Sequence, residues 1–159
     1  MIIRALLPNE IVFLKEMLYT AIFVGQGAPT PPHSIIESPA LAKYIQNFGS
    51  KQHDYCLVAS EDDELLGACW VRLFNENDKG FGYVNATTPE LSIAIKKQHR
   101  NRGIGTRLIK QMIIDLKKKN INALSLSVDK ENPAMKLYKK LGFLVVNETE
   151  KSAVMRLEL

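Results

Sequence analysis

The chain has 159 residues, is 46% hydrophobic and 24% charged, and carries a formal net charge of +4 at pH 7. This is the profile of one ordinary globular domain, with no internal repeat, no low-complexity tract and no disulfide framework. Charge is unevenly spread: residues 1–90 hold 6 Lys/Arg against 11 Asp/Glu, while residues 91–159 hold 15 against 6, and so basic a second half suits a polyanionic ligand.

In chain order, Ile2–Leu6 predicts a strand, and Asn9 precedes an amphipathic helix carrying Ile11, Leu14, Leu18 and Ile22 at spacings of three and four. The Gly- and Pro-rich stretch Phe23–Glu37 reads as loop. Ser38 and Pro39 predict the cap and first turn of a second helix, running through Leu41 and Ile45 to a stop at Gly49. Tyr55–Ser60 and Leu65–Phe74 flank an acidic turn, Glu61-Asp62-Asp63-Glu64, and predict a β-hairpin. A symmetric turn at Asp62-Asp63 would set Cys56 and Cys69 directly opposite each other. Both are expected as reduced core thiols, since their spacing fits neither a metal site nor a disulfide framework.

Asn75–Thr88, with Gly80 and Gly82, predicts a long loop containing a short strand around Phe81–Val84. Glu90–Lys96 alternates Leu91, Ile93 and Ile95 with small residues, which is a strand pattern. From Thr106, the residues Leu108, Ile109, Met112, Ile113 and Leu116 form one helical stripe, closed by Lys117-Lys118-Lys119 at the negative end of the helix dipole. Ala123–Val128 is the next strand. Asn132 and Pro133 open a helix to Leu141, Gly142 stops it, and Phe143–Val146 and Val154–Leu159 are closing strands.

The order β-α-α-β-β-β-α-β-α-β-β predicts an α/β fold: one domain over residues 1–159 with a twisted mixed sheet, helices on both faces and a right-handed crossover from Glu90 to Val128. No apolar run approaches the ~18 residues of a membrane span. The start, Met1-Ile2-Ile3-Arg4-Ala5-Leu6-Leu7, is too short and wrongly ordered for a signal peptide. A cytoplasmic location without membrane attachment is therefore expected.

The chemistry concentrates in Arg100-Asn101-Arg102-Gly103-Ile104-Gly105, between a strand and a helix. Gly103 and Gly105 remove side chains that would block close approach to the main chain, Ile104 can anchor the loop inward, and Arg100, Arg102 and Arg107 surround it with positive charge. A helix N-terminus joined to such a loop is suited to a pyrophosphate. The pattern is neither a P-loop nor a dinucleotide fingerprint, because no G-x-x-x-x-G-K-[ST] occurs and Leu108 stands where a third glycine would be required.

The loop resembles the cofactor loop of the GNAT superfamily of N-acetyltransferases, [RQ]-x-x-G-x-[GA], through Arg100, Gly103 and Gly105. The resemblance continues in N-x-x-A-x-x-L-Y-x-x-x-G-F, met by Asn132, Ala134, Leu137, Tyr138, Gly142 and Phe143. It implies acetyl-CoA as acyl donor, with no metal. Main-chain groups of Ile93, Ala94 and Ile95 would pair with the pantetheine arm. The amides from Arg102 through Gly103, Ile104 and Gly105 to Thr106 would hold the pyrophosphate beside Arg100. Asn132 would bond the pantetheine, and Tyr138 would protonate the departing thiolate.

Glu90 lies where several members present a carboxylate to the acceptor amine, and proton loss through water is the alternative. The resemblance points to Tyr19, His33, Trp70, Phe74 and Tyr83 as acceptor-side residues. It also implies that the final strand, Val154–Leu159, is where a homodimer would pair. The competing reading is a non-catalytic acyl-CoA sensor. Nucleic acid is not expected as a partner, because Lys96–Lys119 lacks interleaved aromatics and its apolar stripe is committed to a core.

Overall fold

The computed structural model describes residues 1–159. Its elements are β1 (Ile2–Ala5), α1 (Val12–Ala21), α2 (Pro39–Ala42), β2 (Tyr55–Glu61), β3 (Glu64–Arg72), β4 (Glu90–Ile95), α3 (Ile104–Lys118), β5 (Ala123–Asp129), α4 (Ala134–Lys140), β6 (Leu144–Glu148) and β7 (Ser152–Glu158). The strands form one seven-stranded sheet in the order β1-β2-β3-β4-β5-β7-β6. Every neighbouring pair is antiparallel except β4 and β5, which α3 connects. This is the mixed α/β sheet that the order of elements predicts.

Alternation along the strands splits the core in two. On one face, 19 buried residues include Leu91, Leu124, Leu126 and the α3 stripe Ile104, Leu108, Ile109, Met112 and Leu116. Each such side chain stabilises the fold by about 1.5–3 kcal/mol relative to exposure, so this is the major core. On the other face, α1 presents Phe13, Leu14, Met17 and Leu18 to Val58, Ala68, Trp70 and Ala94. No helix is long and apolar enough to cross a membrane.

Several local expectations are corrected by tertiary partners. Asn9 lies in a 3-10 turn, Pro8–Glu10, that precedes α1, and the helix itself starts only at Val12. Glu10 does the local bonding there, accepting the Leu7 N–H at 2.8 Å and pairing with Arg4 at 2.7 Å. The second helix is only four residues long, and the Ser38 hydroxyl donates back to the Ile35 carbonyl at 2.7 Å rather than capping it. Beyond it, carbonyls that a longer helix would use accept from β3 side chains: Arg72 takes those of Lys43 and Gln46 at 2.9 and 2.6 Å, and the Trp70 indole takes that of Tyr44 at 3.2 Å.

Phe81–Val84 forms no strand, because the Phe81 and Gly82 amides donate to the side chains of Tyr44 and Glu90. Nor do the cysteines face each other. Asp62 and Asp63 make the tight turn, both with positive φ (49° and 64°). A bulge between Ala59 and Ser60 then shifts the register, so that Cys56 pairs with Trp70 and Leu57 with Cys69. A one-residue slip inverts side-chain direction, and the two free, buried thiols fall in different cores. Finally, β7 lies between β5 and β6 and has no free edge for a second copy; the outer strand at that end is β6.

Candidate active site

The sheet opens where β4 meets β5. Their ladder has one register pair, Glu90 with Ser125, and β4 runs on without β5 beside it. The Lys96 N–H donates to the Leu66 carbonyl of β3 at 2.9 Å, and the Pro89 carbonyl accepts from Ser125 at 3.1 Å. Strand groups alternate in direction, so the main-chain groups of Leu91, Ile93 and Ile95 face the opening. The Ile95 carbonyl is covered by Arg100 Nε at 3.1 Å. Ala94 pairs with Ala68 and turns its main chain to β3, so Ile93 presents the free strand edge.

At the wide end of the opening stands the N-terminus of α3. None of the amides of residues 101 to 106 donates to an acceptor within the chain; the first bond of the helix runs from the Arg107 N–H to the Gly103 carbonyl at 3.1 Å. Gly103 occupies the cap position with φ +75° and supplies no capping side chain. Ile104 is buried in the major core and anchors the turn. The consecutive bare N–H groups and the positive helix end make an anion-binding concavity. The Arg102 guanidinium turns away to Glu61 at 3.0 Å, so at this loop Arg102 contributes its amide and its charge.

At the narrow end, Glu90 is 4% exposed and lies on the α1/α2 face. The Tyr44 hydroxyl donates to its Oε2, and the Gly82 N–H donates to its Oε1 at 3.0 Å. Burial raises its pKa from 4.5 to about 7, against the lowering effect of these two donors. Ser125, beside Glu90 in the ladder, is fully buried and its Oγ has no hydrogen-bond partner.

Tyr138, on α4, stands on the opposite face, 7% exposed and packed on Phe143 with ring centroids 5.9 Å apart. Burial, and secondarily the Cys69 thiol nearby, push its pKa well above 10. Its hydroxyl forms no hydrogen bond within the chain, so the proton is uncommitted. Asn132 Oδ1 accepts the Ala134 N–H at 2.9 Å and fixes the start of α4, which leaves its amide nitrogen as the available group.

Two loops cross the opening on the α1/α2 face. A Cβ on Gly82 would lie 2.6 Å from the Leu126 main chain, and one on Gly25 would lie 3.3 Å from Glu131 Oε2, so both loops reach the β5 half. Four of the five expected acceptor-side residues fall into two groups. Tyr19 and His33 stack at 3.9 Å and line a groove of about 450 Å³ with Lys15, Lys96 and Lys97. Phe74 packs on Tyr44 at 5.0 Å, and half-buried Tyr83 lies against the same cluster. Trp70 is corrected: at 0% exposure, with its indole bonded to the Tyr44 carbonyl, it is a core residue and touches no cleft. Tyr44 and Ser125 carry no sequence signal, because neither belongs to a motif. No group of three or more His, Cys, Asp or Glu side chains comes together to hold a metal.

The split parallel strand pair opening onto an uncapped helix start can be set beside known proteins. The chain matches the acetyltransferase (GNAT) family model over residues 24–143 and belongs to that family. Among solved structures it is similar to the PaiA N-acetyltransferase of Thermoplasma acidophilum in complex with coenzyme A, at 20% identity and TM-score 0.71 over 99% of this chain and 98% of that one. It is also similar to a ribosomal-protein-alanine N-acetyltransferase of Brucella melitensis, at 16% identity and TM-score 0.69 over 100% of both chains. A third is YncA, a putative acetyltransferase of Salmonella typhimurium with acetyl-CoA, at 20% identity and TM-score 0.66 over 99% of this chain and 93% of that one. At these identities the likeness is one of fold.

Proposed function

We propose that the chain is an acyl-CoA-dependent N-acyltransferase that moves acetyl from acetyl-CoA to a primary amine by direct attack in a ternary complex. The observation that carries this reading is the run of unbonded amides from 101 to 106 beside the free edge of β4. Convergent N–H groups at a helix start match a pyrophosphate, and a strand edge at Ile93 matches the amides of a pantetheine arm. Asn132 Nδ2 would complete the donor side. Bound there, acetyl-CoA supplies an activated acyl carbon.

The chain's own groups then manage two protons. A primary ammonium has an ordinary pKa near ~10.4 and must lose a proton before it attacks. Glu90, raised to about 7, accepts that proton from the α1/α2 face. The nitrogen bonds to the acyl carbon as the carbon–sulfur bond breaks, and the Tyr138 hydroxyl gives its proton to sulfur from the other face. The second proton of the acylated nitrogen passes through solvent to the Tyr138 phenolate and the proton on Glu90 is released to solvent, so the turnover closes as amide, thiol and one proton. The acceptor is a small molecule, a protein N-terminus or a lysine in the cytoplasm.

Incubation with acetyl-CoA and a panel of primary amines, read as free thiol, tests the reading. Amine-dependent thiol release is expected. Tight CoA binding without amine-dependent release would make the protein a sensor, and failure to bind CoA would overturn the donor site itself.

A further inference from the structure

Tyr44 follows α2 by two residues and is 5% exposed. Its hydroxyl oxygen accepts the Phe81 N–H at 2.7 Å, which leaves its single proton for Glu90 Oε2. Gly82 donates to the other carboxylate oxygen. Both oxygens of Glu90 therefore accept bonds from donors that have no other direction to point. Such donors are held more strongly by the anion than by the acid, so the hydrogen-bond geometry favours the ionised carboxylate and opposes the effect of burial. The loop reaches this position because its glycines allow it: a Cβ on Gly80 would lie 2.8 Å from Tyr44 Oη.

The surrounding charges leave Tyr44 as the side-chain donor to Glu90. Lys43 is bonded to Asp78 at 3.1 Å and to the Lys79 carbonyl, and Arg72 on β3 is paired with Asp54 at 2.9 Å. From β5 comes Ser125 with its unpartnered Oγ, and beyond it Arg156 of β7 occupies the paired position. The side chains that α1 buries on this face are apolar.

We propose that Tyr44 is a positioning residue of this site: its hydroxyl binds the 80–83 loop and the Glu90 carboxylate to one another, holding that carboxylate ionised and fixed at the head of β4. The inference rests on the reading of Glu90 as the base. Tyr44 acts through Glu90.

The test follows the Glu90 carboxyl directly, by its infrared C=O band assigned through loss in Glu90→Gln, as pH is varied. Tyr44→Phe keeps the ring and removes the donor, so Glu90 is expected to bind its proton about tenfold more tightly, moving the midpoint up by about one pH unit. Replacing Tyr44 by 3-fluorotyrosine, a stronger donor of the same shape, is expected to move the midpoint down. Acyl transfer should show the same displacements of its acid limb. An unmoved infrared midpoint in a Tyr44→Phe protein with an unchanged melt overturns the proposal; should that variant not fold, an unmoved midpoint with fluorotyrosine does so. If the infrared midpoint moves and the transfer profile does not, Tyr44 keeps its role toward Glu90 and the reading of Glu90 as base fails.

Discussion

Arg72 stands directly opposite Glu90 across the β3–β4 ladder, on the same face, yet its guanidinium binds Asp54 instead, at 3.0 and 2.9 Å. A guanidinium on Glu90 would pull the carboxyl well below the range where it can take a proton near neutrality. Asp54, by claiming that charge, leaves Glu90 to its burial and its two neutral donors.

The same pair predicts a stability effect. Arg72 and Asp54 are each 1% exposed, and removing one partner of a buried pair strands the other charge at a cost of about 3–5 kcal/mol. Asp54→Ala should lower the urea midpoint by that amount of stability. Arg72, released, should also reach Glu90 and move the acid limb of acyl transfer to lower pH.

Glu90→Gln separates chemistry from folding by pH. The folded pKa of about 7 lies above the ordinary 4.5, so the folded chain binds this proton more tightly than the unfolded chain does. Its contribution to stability is fully present below about pH 4.5 and is lost as pH rises through 7, up to about 3 kcal/mol. Denaturation at pH 5 and pH 8 should show the glutamine protein gaining on the parent at the higher pH. Turnover should run the other way: in the parent it is expected to rise through about pH 7 as Glu90 ionises, and the substitution should cost on the order of 100-fold.

Gly103→Val tests the donor loop. The position has φ +75°, and a Cβ there meets nothing within 4 Å, so the cost to folding is the backbone strain of about 1–2 kcal/mol. The isopropyl group would stand over the bare amides. Calorimetry should show the acetyl-CoA dissociation constant raised about tenfold or more while the circular dichroism spectrum stays native. Unchanged binding would remove the loop from the site.

Tyr138→Phe keeps the ring on Phe143 and removes a hydroxyl that bonds nothing in the chain, so stability should change by under about 1 kcal/mol. Loss of a general acid should lower kcat about 100-fold while the dissociation constant for CoA barely moves. Equal losses in both would make Tyr138 a packing residue.

The elements proposed to hold the donor were legible before folding because their signals are local. The α3 stripe repeats at helical spacing, and Gly103 announces a positive φ one residue before the helix. The acceptor half was not. Trp70 alternates like any half-buried strand residue, and only the packing of α1 and Tyr44 over it makes it core. Tyr44 sits in a stretch that reads as helix, yet its own carbonyl is taken by Trp70 and those of Lys43 and Gln46 by Arg72, partners 26 to 29 residues away.

The order of elements along the chain, the α3 stripe and the glycine-turned loop follow from periodicity and backbone freedom, which act over a few residues and need no partner. Which face Cys56 and Cys69 take, and what holds Glu90, were decided only by the assembled chain. A single bulge inverts every side chain beyond it, and a buried carboxylate takes its character from donors such as Tyr44, 46 residues away, that only the packed chain brings to it.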